Sequence, residues 1–125
     1  MIALDASALL AWLFREPGHD AVAPELGSAC LSAVNLAEVL GRFARDGHDA
    51  GEVAARLATL PVEVVPFSAE DARAAAALVP ATRAFGLSLG DRACLALARS
   101  RGIPAFTADR AWLQVDSGVE VRAIR

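Results

Sequence analysis

The chain has 125 residues, 55% of them apolar, and a formal net charge of −3. That length suits one domain of ordinary size with a real core. The charge excludes the bulk-basic signature of a nucleic-acid coat protein, but not an enzyme whose local patch meets nucleic acid.

All 12 basic side chains are arginine. The guanidinium fork grips phosphate well, although the bias of a GC-rich genome explains the missing lysine more simply. Cys30 and Cys94 are remote from each other and lack metal-ligand spacing, so both are expected as small buried apolar residues. The N-terminus has no basic region and reaches Asp5 at once, and no apolar run approaches the ~20 residues of a membrane span. A cytoplasmic protein without membrane contact is expected. The apolar surplus also permits burial of surface against another chain.

The first strand is expected at 2–5, apolar throughout, as in a central parallel strand covered on both faces. A helix follows at 7–14, with Leu9, Leu10, Leu13 and Phe14 on one side. His19 then falls in a polar, loop-like segment, and a second strand is expected at 29–31. Residues 33–45 place Leu36, Val39, Leu40 and Phe43 at helical spacing until Gly47 stops the helix, with His48 in the loop beyond. A helix at 49–60 ends at Pro61, a third strand covers 62–65, and an alanine-rich helix at 69–79 ends before Pro80. The helix at 89–101 carries Ala93, Leu95, Ala96 and Leu97 and is closed by Gly102. A fourth strand at 104–107 leads through a short helix to Trp112. The alternation Val119-Glu120-Val121-Arg122-Ala123 marks a last strand within 119–124, at an edge with one wet face. Trp12, Phe14, Phe43, Phe67 and Trp112 are expected in the core or an interface rather than as base-stacking platforms. Strands separated by helices imply an α/β fold over 1–125, with a central, mostly parallel sheet of about five strands flanked by helices.

Four acids stand out against this pattern. Asp5 follows the apolar run Ile2-Ala3-Leu4, and Asp109 follows Ala105-Phe106-Thr107, both beyond the carboxyl ends of strands, where sites form in such sheets. Asp5 and Ser7 are both able to cap the next helix; one cap suffices, and a carboxylate after three strand residues is costly unless something pairs with it. Glu38 sits mid-helix and either pairs with Arg42 at i+4 or points, with Asn35 one turn earlier, into a shared pocket. Asp91 fits a capping box with Ser88 and is able to serve as a ligand as well. Asp109 either caps the short helix before Trp112 or joins the other acids. Gathered together, the four would make an all-oxygen pocket suited to Mg²⁺ or Mn²⁺.

The stretches around these acids resemble the PIN-domain ribonucleases. Leu4-Asp5-Ala6-Ser7-Ala8-Leu9 resembles the family's opening, and Asn35-Leu36-Ala37-Glu38-Val39 its second motif. Leu87-Ser88-Leu89-Gly90-Asp91-Arg92-Ala93-Cys94-Leu95-Ala96-Leu97-Ala98 resembles the third and is the most specific; Thr107-Ala108-Asp109-Arg110-Ala111-Trp112 resembles the fourth. The length is similar to that of VapC toxins of toxin–antitoxin pairs. The resemblance implies a PIN-like three-layer fold, with Asp5, Glu38, Asp91 and Asp109 holding Mg²⁺ or Mn²⁺ and Ser7 and Thr107 supporting them. It implies an RNA substrate, an antitoxin partner and a homodimer. A metal-activated water would then attack phosphorus and leave 5′-phosphate and 3′-hydroxyl ends. Segment 46–86 carries no motif.

Arg83, Arg92 and Arg110 lie near the acids in sequence and are candidates to grip a phosphate backbone, against the plainer reading of surface arginines. Gly86-Leu87-Ser88-Leu89-Gly90 matches the esterase G-x-S-x-G pattern, but no strand precedes it and His19 and His48 both come before the serine. A phosphatase of the haloacid-dehalogenase type would carry a second aspartate where Ser7 stands, and a receiver domain would need a lysine. Two alternatives to the ribonuclease stay open: a non-catalytic interaction module whose acids are only caps, and a structure-specific DNA or RNA-processing nuclease.

Overall fold

A computed structural model describes all 125 residues. Five parallel strands form one sheet in the order β3-β2-β1-β4-β5: β1 Ile2–Leu4, β2 Ala29–Ser32, β3 Glu63–Val65, β4 Ala105–Thr107 and β5 Val121–Ala123. The wholly apolar β1 is central, and the alternating β5 is an edge, as their patterns require. Residues Ala3 and Leu4 of β1 register with Ala105 and Phe106 of β4.

The two faces of the sheet differ in side-chain size, and that sorts the helices. Ile2, Leu4, Leu31 and Phe106 point to one side and pack with α1 (Ala6–Leu13), α2 (His19–Val22) and α3 (Ala33–Arg45). Ala3, Cys30 and Ala105 point to the other, where their small side chains let α7 (Leu89–Arg101) lie close to the strands. There α7 buries Ala93 through Ala98, and α5 (Ala69–Ala77) covers it. Cys30 and Cys94 are free thiols within this layer, as expected. The remaining helices are α4 (Ala50–Leu57) and α6 (Val79–Thr82). No helix is long and apolar enough to cross a membrane.

Two expectations need correction. His19 is not in a loop: it opens α2 and is half-buried, and a 3-10 stretch, Ala23–Ser28, follows directly. Four-residue helices span about one turn, too little for a period to register. Pro80 also does not end the helical segment. It occupies the first turn of α6, where proline's missing N–H has no partner to lose.

Of the aromatic residues expected in a core or interface, Trp12, Phe43 and Phe67 are half-buried and Phe14 is exposed. Trp112 is fully buried, and Phe14 stacks on Phe43 with centroids 5.2 Å apart. At the far end of the chain, Ile124 packs into the core and donates its N–H to the Thr107 carbonyl at 2.9 Å.

Candidate functional site

Asp5 is 3% exposed at the carboxyl end of β1, and it is not left alone. Ser7 Oγ donates to it, 2.7 Å from Oδ1 and 2.9 Å from Oδ2; Thr107 Oγ1 donates to Oδ2 at 2.7 Å; the Ala8 N–H donates to Oδ1 at 2.8 Å. The last bond makes Asp5 the N-cap of α1. Each hydroxyl also accepts from the backbone, Ser7 Oγ from Ala108 N at 2.9 Å and Thr107 Oγ1 from Asp109 N at 3.0 Å. One network therefore fixes the Asp5 carboxylate and the turn that carries Asp109. Burial still dominates: despite these bonds the Asp5 carboxyl is pushed up from 3.8 to about 6, and the charge of Asp91 adds to the rise.

Glu38 does not pair with Arg42. That arginine turns to Asp46 at 3.2 Å and lies over the Phe14 ring. Glu38 instead accepts from Asn35 Nδ2 at 2.8 Å, and the same amide nitrogen donates to the Gly90 carbonyl at 2.9 Å. This brings α3 onto the first turn of α7, beside Asp91. Asp91 itself completes the expected capping box, accepting from Ser88 N at 2.9 Å while its own N–H donates to Ser88 Oγ at 3.3 Å. Beneath them lies Cys94. Burial first, then the charges of Asp5, Cys30, Asp91 and Glu38, push its thiol well above the usual value. Asp5, Glu38 and Asp91 thus act on one buried group.

Asp109 is joined to the others only through its backbone. Its carboxylate is exposed and accepts from Ala111 N at 3.0 Å, capping the 3-10 turn that carries Trp112. In this arrangement no three acidic, histidine or cysteine side chains stand close enough to hold a metal together. The residue types nevertheless suit a hard cation: the four candidates are all carboxylates, and in the buried one, Asp5, the charged form is disfavoured. Asn35 adds a buried Oδ1 with no hydrogen-bond partner.

None of the surface recesses is lined by the four acids; one of about 330 Å³ is lined by Leu13, Phe43, Val53 and Leu57 among others. Glu38 and Asp109 are exposed, Asp91 is half-buried and Asp5 is buried. Of the three arginines considered, Arg83 is exposed and its guanidinium makes no hydrogen bond or ion pair. Arg92 donates to the Leu87 carbonyl at 2.9 Å, and Arg110 to that of Arg125 at 3.2 Å. Ser88 is a helix cap preceded by a 3-10 turn, so the esterase elbow is absent. Sequence reasoning did not find Gly90, whose α-carbon faces the Glu38 carboxylate.

The model of the PIN domain family matches residues 2–118. The chain belongs to the PIN domain family. No curated protein matches it by sequence. Solved structures similar to this PIN domain include a toxin–antitoxin complex from Klebsiella pneumoniae, at TM-score 0.75 and 17% identity over 100% of this chain and 98% of that one. Mycobacterium tuberculosis VapC20, a toxin cleaving the sarcin–ricin loop, is similar at TM-score 0.71 and 26% identity over 88% of this chain and 91% of its own. VapBC-5 of the same organism, from the VapBC family of toxin–antitoxin systems, follows at TM-score 0.58 and 26% identity over 98% and 96%.

Proposed function

We propose that this PIN domain is a metal-dependent endoribonuclease, the toxin of a toxin–antitoxin pair. The observation that carries the reading is Asp5, a buried carboxylate with three hydrogen-bond donors whose carboxyl is nonetheless pushed up to about 6. A cation relieves that state, because it favours the ionised form that burial disfavours. Asp5, Glu38, Asp91 and Asp109 would hold Mg²⁺ or Mn²⁺, with Ser7, Asn35 and Thr107 in support. When bound, the metal supplies a water of lowered pKa and neutralises charge at the phosphate.

The chain's own residues supply the rest. Ser7 and Thr107 spend their protons on Asp5, so its carboxylate is oriented before any ligand arrives. The exposed Glu38 and Asp109 are within reach of a polymer backbone, and Arg83 has its whole guanidinium available for a phosphate. Arg92 and Arg110 have donors to spare beyond those already engaged. VapC20 is a sarcin–ricin-loop-cleaving toxin, and VapBC-5 is a member of the VapBC family of toxin–antitoxin systems; these support a nuclease reading and an antitoxin partner here. A cytoplasmic homodimer completes the proposal.

A second reading has its own observation: Asp5, Asp91 and Asp109 each cap a helix or turn. A non-catalytic module would use them for that alone. Incubation with total cellular RNA and Mn²⁺, with EDTA and Asp5→Asn as controls, separates the two. Metal-dependent cuts with 5′-phosphate ends, absent from both controls, are expected. Intact RNA with folded, antitoxin-free protein would overturn the ribonuclease, and cleavage of branched DNA in its place would assign a DNA nuclease.

A further inference from the structure

Gly90 is the second residue of α7, buried and with no left-handed backbone angle to demand a glycine. In a helix, glycine is about 1 kcal/mol less favourable than alanine. The reason for it lies across the interface: a Cβ at Gly90 would fall within the Glu38 carboxylate. Gly41, in α3, faces open space by comparison. Asn35 holds the two together. It is 1% exposed, and its Nδ2 donates to Glu38 Oε1 at 2.8 Å and to the Gly90 carbonyl at 2.9 Å. Its Oδ1 has no partner, although buried polar atoms are nearly always bonded. An asparagine kept only to join two helices has no use for that unpaired oxygen.

We propose that Gly90 and Asn35 are positioning residues for Glu38: the missing side chain and the asparagine clasp seat its carboxylate on the first turn of α7, beside Asp91. The inference rests on the metal-dependent reading above. The absent Cβ sets how closely Glu38 approaches the first turn of α7. The clasp engages Oε1; Oε2, which accepts no hydrogen bond, would be left to a cation, and Asn35 Oδ1 would accept a hydrogen bond from the ligand's side.

Gly90→Ala in the full chain tests this. Alanine favours the helix, and only the end of a flexible side chain must move, so the fold is kept. Expected are a loss of about tenfold or more in Mn²⁺ affinity by calorimetry and a drop in kcat larger than any change in KM. In the metal-free protein, the Asn35 side-chain amide resonances shift and exchange faster with solvent. Gly41→Ala leaves all three as in the wild type. Unchanged Mn²⁺ affinity and unchanged Asn35 resonances in Gly90→Ala would overturn the proposal. A wild-type protein that binds no Mn²⁺ would defeat the metal reading itself. If its Asn35 amide still responded to Gly90→Ala, the clasp would be a helix contact alone and the positioning role would fall with that reading.

Discussion

Asp5 should make the metal-free protein less stable as the pH rises, and Asp5→Asn should remove that dependence. Its carboxyl stands at about 6 in the folded chain against an ordinary 3.8, chiefly because it is buried. The folded state therefore binds this proton more tightly than the unfolded state does. The stabilisation is complete below 3.8 and is lost as the pH rises through about 6. At about 1.4 kcal/mol per pKa unit, the whole interval is worth about 3 kcal/mol, and about 2 kcal/mol of it falls between pH 4.5 and 7.5. Urea unfolding in EDTA, followed by circular dichroism, measures it as a difference between wild type and Asp5→Asn, so that other groups cancel. The gap should move by about 2 kcal/mol in favour of the asparagine variant as the pH rises from 4.5 to 7.5. Saturating Mn²⁺ should reverse the movement, because the ionised form then has a partner. Parallel stability curves for the two proteins would refute the reasoning, for they would mean that Asp5 is solvated like any surface acid.

Thr107→Val removes a donor to the ionised Asp5 and should cost about 2 kcal/mol at pH 7.5 and less at pH 4.5, where Asp5 is protonated; the same urea series reads both. Asp91→Asn keeps an oxygen to accept from Ser88 N, so it should cost under about 1 kcal/mol by thermal melting. RNA cleavage should fall by more than about a hundredfold, beyond the loss typical of a supporting partner, and normal cleavage by this variant would remove Asp91 from the site. Leu95→Ala, at a fully buried position of α7, should cost about 3 kcal/mol. Arg101→Ala should leave the unfolding midpoint in place, although Arg101 grips Glu63 through two bonds of 2.8 and 2.9 Å, because the pair lies at the surface.

Much of the fold was legible because the informative patterns covered at least one full period of their element, about two residues in a strand and about four in a helix. The apolar run at β1, the alternation at β5 and the helical spacing of Leu36, Val39, Leu40 and Phe43 each extend over enough residues to identify an element and its covered faces. The turns around His19 and Pro80 were not legible, since each is short and held by tertiary packing. At the site, the caps could be read locally: Asp5, Asp91 and Asp109 bond to N–H groups within three residues. The surroundings of Glu38 could not. Its sequence offered Arg42 at i+4, whereas the side chain that holds it also holds a carbonyl 55 residues beyond that side chain's own position. Gly90 left a local trace, a glycine inside a good helix with no turn to justify it, but its reason lies on another helix. The Ser7 and Thr107 hydroxyls stood out in the sequence only as neighbours of acids; that both donate to the same carboxylate depends on the pairing of β1 with β4.

That pairing also has a consequence during synthesis. Thr107 is 102 residues downstream of the aspartate it holds. At translation rates of about 5–20 residues per second, Asp5 is made roughly 5–20 s before its partner exists. In the interval the ribosome carries a chain with its first three motifs but no fourth strand to close them into a site. A product that stops before β4 would carry Asp5, Glu38 and Asp91 without the hydroxyl that orients Asp5. For a protein proposed to cut RNA, activity then begins only after the last motif has been made, when an antitoxin is able to meet a finished surface.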